Sequence, residues 1–482
     1  MFSNIQPNAV WQNFEALNAI PRASKKEQQV IAFIKQFGAN LNLYVYQDEV
    51  GNVIIKKPAT VGLENRPAIC LQSHLDMVHQ KNNDTVFNFA TEGIKMYIDG
   101  DWVKAQGTTL GADNGLGVAS IMTILASTNI AHPAIEALFT IDEETGMTGA
   151  LALKGGLLNA KYMLNLDTED DNELTIGCAG GIDVTAVNAY VEYNTPPNTT
   201  SFLLNIKGLT GGHSGIDIHK GRANANKLMN RLLQNLRYSF TIHLSSIDGG
   251  SLRNAIPRES KATIAIENIN IKNLETEVAA FEAKIKKEFQ NTDPNITITL
   301  QQIEQVKTVC SQKFLDDFLF MVYELPDGVY TMDPNIEGLV QTSNNVARIF
   351  LGNNNYSIQC LTRSSVNEEK MELAKKIETI FRYLTYHHSF GGNYPGWAPN
   401  PNSHLVRFMV AKYKALHNNQ APLVNACHAG LECGILGTNY PQMQIISFGP
   451  TIHGAHSPDE KVSITSVQKF WNYLLEVLKN LE

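Results

Sequence analysis

Short apolar runs set off by polar or glycine-rich turns dominate the first third of the chain: Ala68 to Gln72, Ile135 to Thr140 and Tyr162 to Leu166. Each has the length of a buried strand. Stretches with helical spacing lie among them, an amphipathic one from Glu27 to Phe37 and an apolar one from Gly115 to Leu125. Strand and helix in alternation predict an α/β fold, a central mixed sheet flanked by helices.

Near residue 182 the texture changes. The pattern predicts strands at Ser201–Ile206, Tyr238–Leu244, Ala262–Ile266 and Ile296–Leu300, with helices at Ala223–Leu236 and Leu274–Phe289. Strand, helix, strand, strand, helix, strand is the ferredoxin-like order. A weaker echo follows. Gln341–Phe350 and Tyr356–Thr362 read as paired strands around Gly-Asn-Asn-Asn at 352–355, with a helix over Glu368–Leu384. From about Gly391 the α/β pattern returns, with helices at His404–Leu416 and Ser463–Leu478 and a strand at Gln444–Ser447. The expected architecture is a catalytic α/β domain (1–184 and 389–482) interrupted by an α+β lid of ferredoxin-like units (185–388).

Length supports more than one domain, since 482 residues exceed a single ordinary core. With 43% hydrophobic and 18% charged residues the composition is that of a folded globular chain. The net charge of −8, from 39 basic and 47 acidic residues without a basic run, argues against nucleic acid as a partner. No apolar run reaches the roughly 18 residues needed to span a bilayer, so no membrane partner is expected. The first residues lack a signal-peptide pattern, and the expected location is the cytoplasm. Six cysteines at 70, 178, 310, 360, 427 and 433 form no Cys-x-x-Cys pair and read as reduced thiols.

Chemistry enters at the ends of the apolar runs. Ser73-His74-Leu75-Asp76 directly follows the first, where α/β proteins bind ligands. His74 offers an imidazole nitrogen, and Asp76 is spaced to hold its tautomer. Gly111-Ala-Asp113-Asn-Gly115 puts a carboxylate among glycines at a helix start, where Asp113 serves either as an N-cap or as a bridge between cations. Asp142-Glu143-Glu144 follows the second run, and Asn165-Leu166-Asp167 the third. His453-Gly-Ala-His456-Ser-Pro-Asp-Glu460 comes late in the chain. Read alone, each segment has an ordinary alternative as a capped or solvated turn. Together they form a mixed His/Asp/Glu set without cysteine, suited to a catalytic zinc, cobalt or manganese site.

These motifs, with Gly211-Gly-His213-Ser-Gly215, resemble in order and across nearly the whole chain the co-catalytic zinc peptidases. That family includes carboxypeptidase G, aminoacylase, peptidase T and carnosinase, and the likeness is strongest to its bacterial aminoacyl-histidine dipeptidases. The resemblance implies two divalent ions per chain, Asp113 bridging them, His74 and Asp167 completing one site, and Glu144 and His456 the other. It implies Glu143 as general base, Asp76 as the residue orienting His74, His213 as oxyanion donor, and a cis peptide between Asp113 and Asn114. Asn254, Arg363 and Gly430 match substrate-binding positions, with Arg363 suited to a carboxylate. Glu432 is a candidate for the substrate amine, while His79, His428 and His453 are expected to be structural. The implied substrate is a small Xaa-His dipeptide of the carnosine type, and the implied assembly is a homodimer. A tripeptidase or N-acyl amino acid deacylase fits the same motifs, and a binding protein without activity is the remaining alternative.

Overall fold

The computed structural model of the chain describes residues 2, 4–267, 271–383 and 387–482. They form two compact units, Met1–Gly177 with Trp397–Ala426 and Leu431–Glu482, and Cys178–Gly396 with Cys427–Gly430.

The first unit is built on an eight-stranded mixed sheet, in the order Tyr44–Gln47, Val53–Lys57, Ile135–Thr140, Ile69–His74, Tyr162–Asn165, Gln444–Ser447, Glu173–Cys178, Leu423–Cys427. Its four middle strands, from Ile135–Thr140 to Gln444–Ser447, run parallel. Their carboxyl ends therefore open on one edge of the sheet. Ile69–His74 and Ile135–Thr140 are buried at every position, as continuous apolar runs in a parallel core require. The Ala112–Ala126 helix is apolar on nearly all sides and packs between the Ile69–His74 strand and the Asn8–Asn18 helix. A small antiparallel sheet of Ile452–His453, Lys461–Ser463, Trp102–Ala105 and Met96–Asp99 carries residues 454–460 as a hairpin loop.

The second unit holds a nine-stranded antiparallel sheet made of two four-stranded ferredoxin-like halves, with Gly328–Met332 added alongside Val340–Gly352. One half runs Thr199–Lys207, helix Ala225–Ser239, Ile242–Gly249, Ser260–Glu267, helix Ile271–Glu288, Thr297–Gln302. The other runs Gly180–Ala189, helix Gln312–Glu324, Val340–Gly352, Asn355–Ser364, helix Asn367–Arg382, His388–Tyr394. Each half has the spatial strand order fourth, first, third, second. They join through their second strands, with Ile247 opposite Leu351 and Gly249 opposite Ile349. The expected echo is thus a complete unit, with the first half inserted after its first strand. Asn353 and Asn354 have φ of 54° and 61°, the left-handed pair of a type I′ hairpin between Val340–Gly352 and Asn355–Ser364.

Three expectations need correction. Tyr238 and Ser239 finish a helix, because the face carrying Leu228, Leu232 and Leu236 runs on to that point, and the strand begins at Ile242. The seam expected at 184 falls inside the Gly180–Ala189 strand, and the one at 388 falls on the first residue of His388–Tyr394; both strands belong to the second unit's sheet. The α/β pattern accordingly resumes at Trp397 and not at Gly391. Leu384, the expected end of a helix, lies outside the described residues. No helix among the described residues is long and apolar enough to cross a membrane.

Candidate active site

Three of the parallel strands deliver the site in the first unit. His74 ends one strand, Glu143 and Glu144 follow the next, and Asp167 follows the third. His74 Nε2 lies 3.2 Å from Asp113 Oδ1 and 3.5 Å from Asp167 Oδ1. His456 Nε2 lies 3.3 Å from Asp113 Oδ2 and 2.9 Å from Glu144 Oε2. The two oxygens of Asp113 are thus addressed to two different imidazoles, the arrangement of a bridging carboxylate. The five residues expected to hold cations come together, with Glu143 and Asp76 beside them.

Local sequence explains how Asp113 gets there. Gly111 has φ +70°, and a Cβ on it would meet Met77 Sδ at 2.8 Å. A Cβ on Gly117 would lie 2.4 Å from Ser73 Oγ and 2.7 Å from the Leu166 carbonyl, so glycine lets the helix press against two strand ends. The Asp113–Asn114 peptide is cis.

Asp76 does more than orient an imidazole. Its carboxylate faces His74 Nδ1 at 3.4 Å and accepts hydrogen bonds from the Ser24 hydroxyl at 2.8 Å and from the Glu143 and Glu144 N–H groups at 3.0 and 3.3 Å. It therefore fixes the short helix that carries both glutamates. Burial opposes its charge, but His74 and these donors outweigh that and hold its pKa below the usual range. Burial likewise opposes a charged His74, and the Asp167, Asp113 and Asp76 carboxylates raise its pKa well above the ordinary imidazole value. Hydrogen bonds to Asp113 and Glu144 lift His456 to about 11. Glu143 is pushed well above the carboxylate range by burial, with Asp167, Glu432 and Glu144 adding repulsion.

The donor set fits divalent cations. Two imidazoles and three carboxylates crowd together, and ligand atoms of His74, Asp113 and Glu144 all lie within 4.8 Å of one another. Among the described residues, Glu144 Oε1 is buried without a hydrogen-bond partner. A bare buried carboxylate oxygen is costly unless a cation meets it.

Sequence reasoning gave no role to Glu460 or Arg22, and it offered Glu432 for the substrate amine. Glu460 is buried and accepts from the N–H groups of Leu110, Gly111, Ala112 and Asp113 at 2.7, 2.9, 2.8 and 3.3 Å. Arg22, also buried, donates to the carbonyls of Leu75, Asp76 and Gly111 and to Asn18 Oδ1. Glu432 Oε2 accepts from the Gln72 amide at 2.8 Å and the Thr140 hydroxyl at 2.7 Å, and burial pushes its pKa up to about 7. His453 packs against Trp102, and His79 against Phe89.

The remaining expected residues lie in the second unit and gather around the 213–215 turn. His213 pairs with Ala255, and the Ser214 N–H donates to the Asn254 carbonyl at 2.7 Å. His213 Nδ1 accepts from the N–H groups of Gly215 and Ile216 at 3.2 and 3.1 Å. Arg363 is buried, donating to the Tyr394 hydroxyl at 2.8 Å and reaching Ser214 Oγ at 3.4 Å. A Cβ on Gly215 would lie 1.9 Å from the carbonyl of His428, which brings the 427–430 segment and Gly430 to the same turn. His428 Nε2 and Ser343 Oγ are 2.7 Å apart. Tyr394 and Ser343 carried no sequence signal.

Residues 204–293 match the family model of the peptidase dimerisation domain. The chain is 41% identical over 480 residues, 99% of both chains, to the cytosol non-specific dipeptidase of Escherichia coli K12. Its fold superposes with a TM-score of 0.94 on the aminoacylhistidine dipeptidase of Vibrio alginolyticus, at 39% identity and covering 99% of this chain and 98% of that one. An aminopeptidase PepT of Bacillus cereus shares the fold at a TM-score of 0.55 and 16% identity, each chain covered to 98%. With a carboxylate facing two imidazoles and this likeness along its whole length, the chain belongs to the dipeptidase family of the M20 peptidases.

Proposed function

We propose that this protein is a cytoplasmic metallodipeptidase that hydrolyses dipeptides, Xaa-His among them. The observation that carries the reading is Asp113, whose two oxygens face His74 on one side and His456 on the other. His74, Asp113 and Asp167 would hold one divalent cation, and Asp113, Glu144 and His456 the second; zinc suits this nitrogen and oxygen set. The ions would supply Lewis acidity toward the scissile carbonyl and acidify the attacking water.

The chain's own residues do the rest. Glu143 takes the water's proton and passes it to the leaving amine, and its buried setting favours holding that proton between the two steps. Asp76 keeps the Glu143 and Glu144 backbone fixed while this happens. His213 is assigned to the oxyanion. Two backbone N–H groups donate to its Nδ1, which leaves the proton on Nε2. Burial, helped by Arg363, lowers its pKa. A neutral Nε2–H donor is what an oxyanion requires. Arg363 is assigned to the substrate carboxylate, since among the described residues no acid lies in ion-pair contact with its buried guanidinium. Asn254 and Gly430, close to the same turn, are assigned to the substrate backbone. The protein is further proposed to be a homodimer, on the match of residues 204–293 to the peptidase dimerisation domain.

The test is a panel of dipeptides, tripeptides and N-acyl amino acids offered to the zinc-loaded protein. Dipeptides, including β-Ala-His, should be cleaved with the highest kcat/KM. Absence of dipeptide hydrolysis, or a preference for the acyl substrates, would overturn the reading.

A further inference from the structure

Glu460 lies beyond every role assigned above. Its carboxylate is 3% exposed, and both oxygens are used, Oε2 on the N–H groups of Leu110 and Gly111 and Oε1 on those of Ala112 and Asp113. These four groups begin the Ala112–Ala126 helix and the turn before it, so they have no partners within the helix and form its positive end. Glu460 also closes the 454–460 loop, where its N–H bonds to the Ser457 carbonyl at 3.1 Å. His456 sits in that loop with a 56% exposed side chain and φ +63°, so packing does little to fix it. His74 and Asp167, by contrast, stand at the ends of buried strands.

We propose that Glu460 is a positioning residue that latches the His456 loop onto the backbone carrying Asp113, and that the cation site of Glu144 and His456 depends on it more than the site of His74 and Asp167, which shares Asp113 but not the His456 loop. The inference rests on the metallodipeptidase reading. One side chain thereby joins two ligand-bearing segments 347 residues apart in sequence. Without it the His456 loop and the Asp113 turn are free to separate, and the second ion loses one ligand and the alignment of another.

The experiment titrates zinc into the metal-free full chain against a chromophoric chelator, comparing wild type, Glu460→Gln and Glu136→Gln. Glu136 is a similarly buried carboxylate that accepts from the N–H groups of Asn159 and Ala160 at 2.8 and 2.9 Å, away from the cation ligands. Wild type should bind two ions per chain. Glu460→Gln should bind the first within about threefold of wild type and the second about 10- to 100-fold more weakly, the usual cost of losing support behind a ligand. Glu136→Gln should lower the denaturation midpoint and leave both affinities unchanged. Wild-type affinity at both sites of Glu460→Gln overturns the proposal, and so does equal weakening of both. Amide exchange on the metal-free wild type gives a second measurement, independent of whether the variant folds. Residues 110–113 should be protected, and free exchange there refutes the latch. Failure of the wild type to bind zinc sinks the metallodipeptidase reading instead, and the exchange result still decides the latch.

Discussion

Replacing Asp76 by Asn isolates the support under Glu143 and Glu144. The carboxylate accepts from two backbone N–H groups and a hydroxyl and faces His74 Nδ1. An Asn keeps one acceptor oxygen and turns an NH2 group toward donors formerly satisfied. The loss is one hydrogen bond to a charged acceptor, worth about 1.5–3 kcal/mol, together with one buried donor left unpaired at about 1–3 kcal/mol. Some relaxation through the Ser24 hydroxyl, which can turn to accept, limits the total to about 2–4 kcal/mol of stability. The remaining effect is on geometry: the helix that begins at Glu143 is no longer tied down at its first two N–H groups. Loss of such support costs about 10- to 100-fold in activity, or about 1.4–2.7 kcal/mol of transition-state stabilisation at about 1.36 kcal/mol per factor of ten. The assay is steady-state cleavage of a dipeptide together with urea denaturation. The kcat of Asp76→Asn should fall with KM nearly unchanged, and the midpoint should drop. A kcat within threefold of wild type would refute the reasoning, because it would mean that these hydrogen bonds do not hold the general base in place.

Other outcomes follow from the same geometry. Glu143→Gln should retain two zinc ions per chain by metal analysis yet lose about 10²- to 10⁴-fold in kcat, the range for a general acid–base group. Arg363→Lys, which removes a planar two-pronged donor, should raise KM about 10- to 100-fold for dipeptides with a free carboxylate and leave C-terminally amidated ones nearly unchanged. His428 is held down to about 3 by burial, with Arg363 and His213 adding repulsion and the Val340 carbonyl opposing them. Its folded pKa lies below its unfolded value of 6.5, so the unfolded state binds more protons between these values and acid destabilises the fold. Stability should fall by up to about 3 kcal/mol on going from pH 7 to pH 4, and denaturation midpoints of His428→Asn should show a shallower fall.

The parallel core was legible because its signal is local. Ile69–His74, Ile135–Thr140 and Tyr162–Asn165 are short apolar runs, and the residues that follow them are the ones a parallel sheet brings to a common edge. The second ferredoxin-like half was harder. Its first strand, Gly180–Ala189, is separated from its first helix, Gln312–Glu324, by the entire other half, so no window along the chain contains the motif. The residues from Tyr238 onward read as strand from their aromatic and β-branched content. The amphipathic face of the Ala225–Ser239 helix overrode that preference, leaving Tyr238 at its exposed end.

For the site, composition could not tell acids that face imidazoles from acids that hold backbone, and hydrogen bonding does. Asp76 takes two N–H groups and a hydroxyl, and Glu460 takes four N–H groups. Asp113 turns its oxygens to imidazoles, and Glu144 has one oxygen on His456 and the other without a hydrogen-bond partner among the described residues, a state Glu432 Oε1 shares. The first group has its charge spread over donors the fold provides; the second is the pair proposed to take charge from a cation. That division requires contacts between residues far apart in sequence, such as Arg22 with Asp76 and Glu460 with Ala112, which no spacing rule encodes. It also explains why Arg22 and Glu460 were given no role from sequence, while the expected ligand residues and Asp76 were named. Ligands must protrude from strand ends and loops, where sequence punctuates itself, whereas a buried carboxylate that grips backbone N–H groups is chosen by the fold around it.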